Sequence, residues 1–249
     1  MAADQLLTTP DGRTIACFQR READDGRPMA DLLALADGVE AGLAVPVIVD
    51  AFRGWRVAAA PSLARELVHA GARPRRHAHV MTRDLRRDPA PDAWLAPALP
   101  AGFRLTPADR PAVDLAAASA AAYPPGHPDH QAGPEQEERE LDALLSGRLL
   151  GPLLPCSALA IAPDGAVAGA VLVNASDGEP PFGGPWISQL FRHPDAPGLG
   201  VPLLRRALAG ATRDGLAAVG LAVTHTNPAR VRYAEHGFTE VMESLSVDL

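Results

Sequence analysis

Residues 224–238 read THTNPARVRYAEHGF. Asn227 followed by Pro228 opens a short helix. An Asn side chain caps the free N–H groups, and proline at the first helical position loses no hydrogen bond. Gly237 stands where a helix ends in a left-handed residue. Before the stretch, LAAVGLAVTH (216–225) is an apolar run of strand length, and after it FTEVMESLSVDL (238–249) reads as a closing strand. The quoted residues are therefore the helix of a strand–helix–strand unit. They include Tyr233, one of only two tyrosines in the 249 residues.

Working upstream, GLGVPLLRRALAGATRDG (198–215) is a helix with Leu203, Leu204, Ala207 and Leu208 at helical spacing. It follows a loop containing Gly198 and Gly200. Glycines before a helix N-terminus let backbone N–H groups approach a ligand, an arrangement suited to phosphate. Alone, the same pattern also fits a tight strand-to-helix turn. PWISQLFRHP (185–194) is a strand, and CSALAIAPDGAVAGAVLVNA (156–175) is two apolar runs around a Pro-Asp-Gly turn. PEQEERELDALLSGRLL (134–150) is a helix with acidic residues in its first turn, as the macrodipole prefers. GFRLTPADRPAVDLAAASAAAYP (102–124) gives a strand, a turn and a helix over about 111–122. The expected order from residue 102 is β-α-α-β-β-β-α-β-α-β.

The N-terminal part reads as a strand (TIACFQRRE, 14–22), a helix (29–42), a strand (AVPVIVDAF, 44–52), a helix (PSLARELVHAG, 61–71) and a strand (RRHAHVMTRDL, 75–85). A Pro/Ala-rich stretch without helical or strand periodicity follows and reads as a linker. The expected division is thus a small α/β part over 1–85, a linker over 86–101 and a main domain over 102–249. ARELVHAGARPRRHAHVMTRDL (64–85) and RVRYAEHGFTEVMESLSVDL (230–249) both run helix, Gly, strand, Asp-Leu. That points to a worn internal repeat in which Leu67 takes the place of Tyr233. The same likeness would arise between any two helix–Gly–strand units.

Composition narrows the class. All 23 basic residues are arginine, and the net charge is −7, which argues against nucleic acid and favours a cationic acceptor such as an amine. Acidity equally serves solubility. Cys17 and Cys156 follow no metal or redox spacing, so a reducing cytoplasm is the expected compartment. The first residues lack the charged and apolar regions of a signal peptide, and no apolar run has membrane-spanning length. His77 and His79 alternate on one strand face, but without a third ligand zinc is not expected.

Taken together, GLGVPLLRRAL and GLAVTHTNPARVRYAEHGFTEV resemble the Gcn5-related N-acetyltransferase (GNAT) family. The resemblance is strongest in the Asn-Pro-Ala-Arg…Tyr-x-x-x-Gly-Phe run. It implies a mixed, mostly antiparallel, splayed sheet flanked by helices over 102–249. The smaller N-terminal α/β part is covered weakly, as a degenerate lobe of the same fold. It implies transfer of an acetyl group from acetyl-CoA to an amine, on a small molecule or a protein, by direct attack on the thioester, without a metal. By the resemblance, Leu190, Phe191 and Arg192 would bond the pantetheine arm through their backbone. Gly198, Leu199, Gly200 and Val201 would cradle the pyrophosphate, Asn227 would touch the cofactor, and Tyr233 would protonate the departing thiolate. Nucleic acid and membrane are not implied as partners, and a homodimer stays open.

The chain departs from the family's glycine loop. Asp195 stands where the family has Gln or Arg, and the loop is about two residues short. Arg192, Arg205 or Arg206 could compensate; the last two also fit a solvated helix face. No general base declares itself among Tyr123, His127, Asp129, His130, Asp177, Glu179, Ser188 and Gln189. A catalytically weak acyl-CoA-binding or regulatory module is the alternative. A further reading makes the N-terminal part an interaction domain. No Gly-x-Gly precedes a helix there, so no cofactor site is expected in it.

Overall fold

A parallel strand pair needs a crossover of a dozen or more residues, usually helical. This requirement overrides local sequence preference in the N-terminal part of the computed structural model, which describes residues 4–23, 25–127, 129–130 and 134–249. The elements of the first part are β1 (Asp4–Thr8), β2 (Thr14–Glu22), β3 (Pro28–Leu35), α1 (Ala41–Ala51), β4 (Arg56–Ala59), α2 (Pro61–His69) and β5 (Arg73–Asp84). They are followed by β6 (Arg104–Pro107), α3 (Ala112–Ala122), α4 (Pro134–Leu145), β7 (Ala158–Ile161), β8 (Val167–Ser176), β9 (Gly184–Arg192), α5 (Gly200–Arg213), β10 (Ala218–Thr224), α6 (Ala229–Glu235) and β11 (Thr239–Asp248).

From residue 102 the element order is the one the sequence implies. Two N-terminal assignments are corrected. Of residues 29–42, expected as a helix, 29–35 lie in β3, and 44–52, expected as a strand, lie almost wholly in α1. In β3, Leu32 has φ of 52° and the register shifts between Ala30 and Leu33, so the period-2 signal of a strand is broken. The Val/Ile-rich run of α1 looks like a strand, and Pro46 lies inside the helix. Because β3 and β4 pair in parallel, the chain between them must cross over, and Ala44 and Ile48, one turn apart, bury that face.

The chain divides into two units, Met1–Val80 with Glu240–Leu249, and Met81–Thr239. This differs from the expected 1–85, 86–101 and 102–249. In the first unit the strand order is β1-β2-β3-β4-β11-β5. β11 pairs antiparallel with β4, from Leu245↔Ala59 to Asp248↔Arg56, a pairing of residues far apart in sequence that no local pattern announces. The unit's core gathers Phe18, Leu33, Ile48, Phe52, Val57, Leu67 and Val247. Asp248 closes it at one end. Its carboxylate accepts from Arg27 Nη1 (3.0 Å), Arg56 Nε (3.0 Å) and Arg75 Nε (2.5 Å). Burial pushes this carboxyl up, but the hydrogen bonds and charges of Arg75 and Arg56 outweigh it and hold it below the usual range. A depressed folded pKa contributes stability that is present above the unfolded value, near 3.9, and is lost as pH falls through the folded one. Asp248→Ala is therefore expected to lower stability by about 1–3 kcal/mol at pH 7. The gap to wild type should shrink below about pH 4. Urea unfolding at pH 7 and pH 3 measures both.

The second unit has the sheet order β10-β9-β8-β7-β6, with β9 and β10 parallel and the other pairs antiparallel. β8 is buried on both faces. Leu172 and Ala170 meet Leu115 of α3 and Leu141 and Leu144 of α4, while Val171 and Val173 share a core with Leu203, Leu204 and Leu208 of α5. The Pro/Ala-rich stretch carries a 3-10 turn, Asp92–Leu95, within this unit. Its Trp94 lies under the guanidiniums of Arg83 (5.4 Å) and Arg205 (5.2 Å), and Leu95 and Leu99 pack on the unit's core. Stacked arginine and apolar anchors thus fix a segment whose composition alone reads as linker. No helix among the described residues is long and apolar enough to cross a membrane.

The two helix–glycine–strand units end alike. Gly71 (φ 105°) and Gly237 (φ 79°) are both left-handed. Gly71 N–H donates to Val68 O (3.0 Å) and Ala72 N–H to Leu67 O (3.0 Å). Gly237 N–H donates to Ala234 O (3.1 Å) and Phe238 N–H to Tyr233 O (3.1 Å). Leu67 and Tyr233 therefore hold the same place in the same helix cap.

Candidate active site

β9 and β10 run parallel and meet near their starts. Their parallel pairing is at Gly220↔Trp186. The closeness there depends on a missing side chain: a Cβ on Gly220 would lie 2.6 Å from Trp186 Cε3 and Cζ3. Leu190, Phe191 and Arg192 lie further along β9, paired on the other side to Val171, Ala170 and Gly169 of β8. Where two strands separate, the inner backbone groups of one of them face a groove instead of a ladder. One such group is already engaged: the Tyr123 hydroxyl donates to Leu190 O at 3.2 Å.

The glycine loop follows β9. Gly198 has φ of 87°, which glycine adopts without the Cβ penalty. Leu199 is buried in the core and accepts the first helical bond, from Leu203 N–H at 3.0 Å. Gly200 opens α5, and a Cβ there would meet nothing within 4 Å, so space lies beside the helix start. Val201 and Pro202 complete the first turn, whose N–H groups have no intrahelical partners. The Asp195 side chain is 91% exposed, and its N–H donates to His193 Nδ1 at 3.2 Å. The carboxylate thus sits in solvent, where water screens it. Arg192 donates to the carbonyls of His193 and Pro194, and Arg205 Nε is 3.2 Å from His236 Nε2, so neither stands as a free loop cation.

At the end of β10, Asn227 bridges two structures. The N-cap of α6 is Pro228, one residue later than expected, but Asn227 Oδ1 still accepts the Ala229 N–H at 2.9 Å, and its Nδ2 donates to Asp129 Oδ2 at 2.7 Å. Thr224 Oγ1 also donates to Asp129. Asp129, one of the general-base candidates in the sequence, lies between α3 and α4. Tyr233 is buried on α6, with Phe238 edge-on at 5.8 Å. Burial pushes the phenols of Tyr123 and Tyr233 up, and the Asp129 charge pushes both further, so both stay protonated well beyond neutral pH. Tyr123 also feels Tyr233, Glu137 and Glu140.

Glu137 and Glu140 are residues that sequence reasoning missed. The acidic pattern of α4 reads as macrodipole compensation, yet Glu137 is buried against the Ser119 hydroxyl and Glu140 Oε1 is 3.4 Å from Gln189 Nε2 on β9. Of the other candidates, His127 packs on Tyr123 at 5.0 Å, and His130 Nδ1 lies 2.6 Å from Tyr123 O. Ser188 donates to Asn174 Oδ1 (2.7 Å), while Asp177 and Glu179 are exposed. Cys156 is no nucleophile, since burial first, then Asp214, pushes its thiol up to about 12.

Solved structures share this fold over nearly the whole chain. A GCN5-related N-acetyltransferase from Sphaerobacter thermophilus superposes with a TM-score of 0.64 at 21% identity, covering 98% of this chain and 79% of that one. The fold is that of the GCN5-related N-acetyltransferases. A tandem GNAT protein from the clavulanic acid biosynthesis pathway gives a TM-score of 0.60 at 18% identity, over 99% of this chain and 82% of its own. A GCN5-related N-acetyltransferase from Kribbella flavida gives 0.55 at 17% identity, over 99% and 89%. No protein-family profile matches the sequence, and no curated protein does. β9, β10, the glycine loop and the helix bearing Tyr233 fall in one unit, Met81–Thr239.

Proposed function

We propose that the chain moves an acetyl group from acetyl-CoA to a cationic primary amine, and that the second unit alone performs the reaction. One observation carries the reading. A buried, protonated Tyr233 feels the carboxylate of Asp129, which Thr224 and Asn227 hold at the end of β10, in the unit that also contains β9 and the glycine loop.

The residues divide the work. The backbone of Leu190, Phe191 and Arg192 aligns the pantetheine arm, with the Tyr123 hydroxyl yielding Leu190 O. The N–H groups of Gly198, Leu199, Gly200 and Val201 take the pyrophosphate, helped by the α5 dipole. Asn227 holds Asp129 against the β10–α6 corner, so that its carboxylate attracts an ammonium group into the site. The amine must lose its proton before its lone pair can attack the thioester carbonyl. A backbone N–H on β9 stabilises the resulting oxyanion. Tyr233 then gives its proton to the departing thiolate as the C–S bond breaks, and the proton shed by the acylated nitrogen passes through solvent to restore the phenol. The phenol is a weak acid here, but burial raises the thiol's proton affinity in the same way, which keeps the transfer feasible.

The test is thiol release from acetyl-CoA with a panel of acceptors. The proposal expects turnover with di- and polyamines, or amines next to a second cation, to exceed turnover with amines bearing a carboxylate by about tenfold or more. Equal rates across the panel contradict the acidic acceptor wall. No thiol release with any amine, in a protein that binds acetyl-CoA, contradicts the transferase reading.

A further inference from the structure

The first unit carries a constellation that the acetyl-transfer reading leaves unused. His77 and His79, two residues apart on β5, point to one face, and their rings stack at 5.5 Å. The sequence offers them no third ligand. The fold does: β11 runs beside β5 and brings Glu243 Oε1 to 2.6 Å from His77 Nε2. The ligand atoms of His77, His79 and Glu243 all lie within 4.8 Å of one another. His79 is almost wholly buried, and its Nδ1 is 2.8 Å from Glu240 Oε2. A carboxylate on one imidazole nitrogen orients the ring, as is usual at histidine-ligated sites.

We propose that His77, His79 and Glu243 bind a divalent transition-metal ion, zinc in the first instance, with Glu240 as the carboxylate that orients His79. Two imidazoles and one carboxylate suit zinc and leave a fourth position for water or another ligand. Ligands bonded to one zinc ion at about 2.0–2.2 Å stand roughly 3.3 Å apart. His77 and Glu243 would therefore draw apart by a few tenths of an ångström on binding, a side-chain adjustment at two partly exposed groups. The ion would tie β5 to β11, joining a strand from each end of the sequence within one unit.

The site is read from zinc binding alone, independent of acetyl transfer. The full-length chain, stripped with chelator, is titrated with Zn²⁺ by calorimetry and with Co²⁺ by visible absorption. One equivalent of Zn²⁺ is expected, with Co²⁺ giving the absorption of a low-coordinate nitrogen–oxygen site. E240Q is expected to weaken zinc about 10–100-fold. E243Q should weaken it at least as much, and the H77Q/H79Q double variant should abolish it. H69Q, at an exposed histidine on α2, should bind as wild type does. Failure of the wild type to bind zinc overturns the proposal. So does unchanged binding in E243Q, a conservative change at a partly exposed side chain that keeps the test valid if the double variant does not fold.

Discussion

Replacing Tyr233 by phenylalanine is expected to lower kcat about 10²–10³-fold while leaving acetyl-CoA affinity within about twofold. The substitution keeps the ring that packs edge-on against Phe238 and removes only the hydroxyl. If Tyr233 is merely a buried aromatic joining α6 to the sheet, stability barely changes and neither does turnover. If its proton meets the leaving thiolate, the loss appears in kcat and not in binding, because the interaction strengthens only as the C–S bond breaks. Burial and Asp129 push this phenol up, so Tyr233 imposes no alkaline fall in activity below about pH 10. An alkaline limb near pH 8 in wild type that persists in Tyr233→Phe belongs to another group. Turnover within twofold of wild type would remove Tyr233 from the chemistry.

Replacing Gly200 by tryptophan should abolish detectable acetyl-CoA binding, a loss of at least about 100-fold, with little change in melting temperature. The two effects separate because of where the side chain goes. A Cβ at Gly200 meets no atom within 4 Å, so the folded protein has room for it. That room lies beside the N-terminus of α5, where the account places the pyrophosphate, and an indole there both fills it and shields the N–H donors. Gly198 makes a poorer test, because φ of 87° strains any other residue and would mix folding with binding. Retained affinity in Gly200→Trp would move the anion site away from this loop.

What could be read from the sequence follows from what is local. The Pro-Asp-Gly hairpin and the apolar spacing of α5 are short-range signals that appear where expected, and α6 starts one residue later than its Asn-Pro signal implies. β3 and α1 run against their local signals, because a bulge at Leu32 breaks the alternation and a β-branched run fills a crossover helix. The placement of β11 beside β4 depends on residues far apart in sequence, which no local pattern carries. The Pro/Ala-rich stretch is held by stacking of Arg83 and Arg205 on Trp94, which composition does not reveal. At the site, Tyr233 and the glycines stood out by motif. Glu137, Glu140 and the Asn227–Asp129 bond needed the third dimension, since an acidic helix face looks the same whether it faces water or a ligand.

The central claim is that the second unit takes acetyl-CoA along β9 and the glycine loop. Calorimetric titration of the purified chain with acetyl-CoA tests it most directly. The account predicts a single site with micromolar affinity, about −8 kcal/mol, despite the short loop and Asp195. A well-folded protein that gives no binding heat, and whose melting temperature does not rise with millimolar acetyl-CoA, would contradict it.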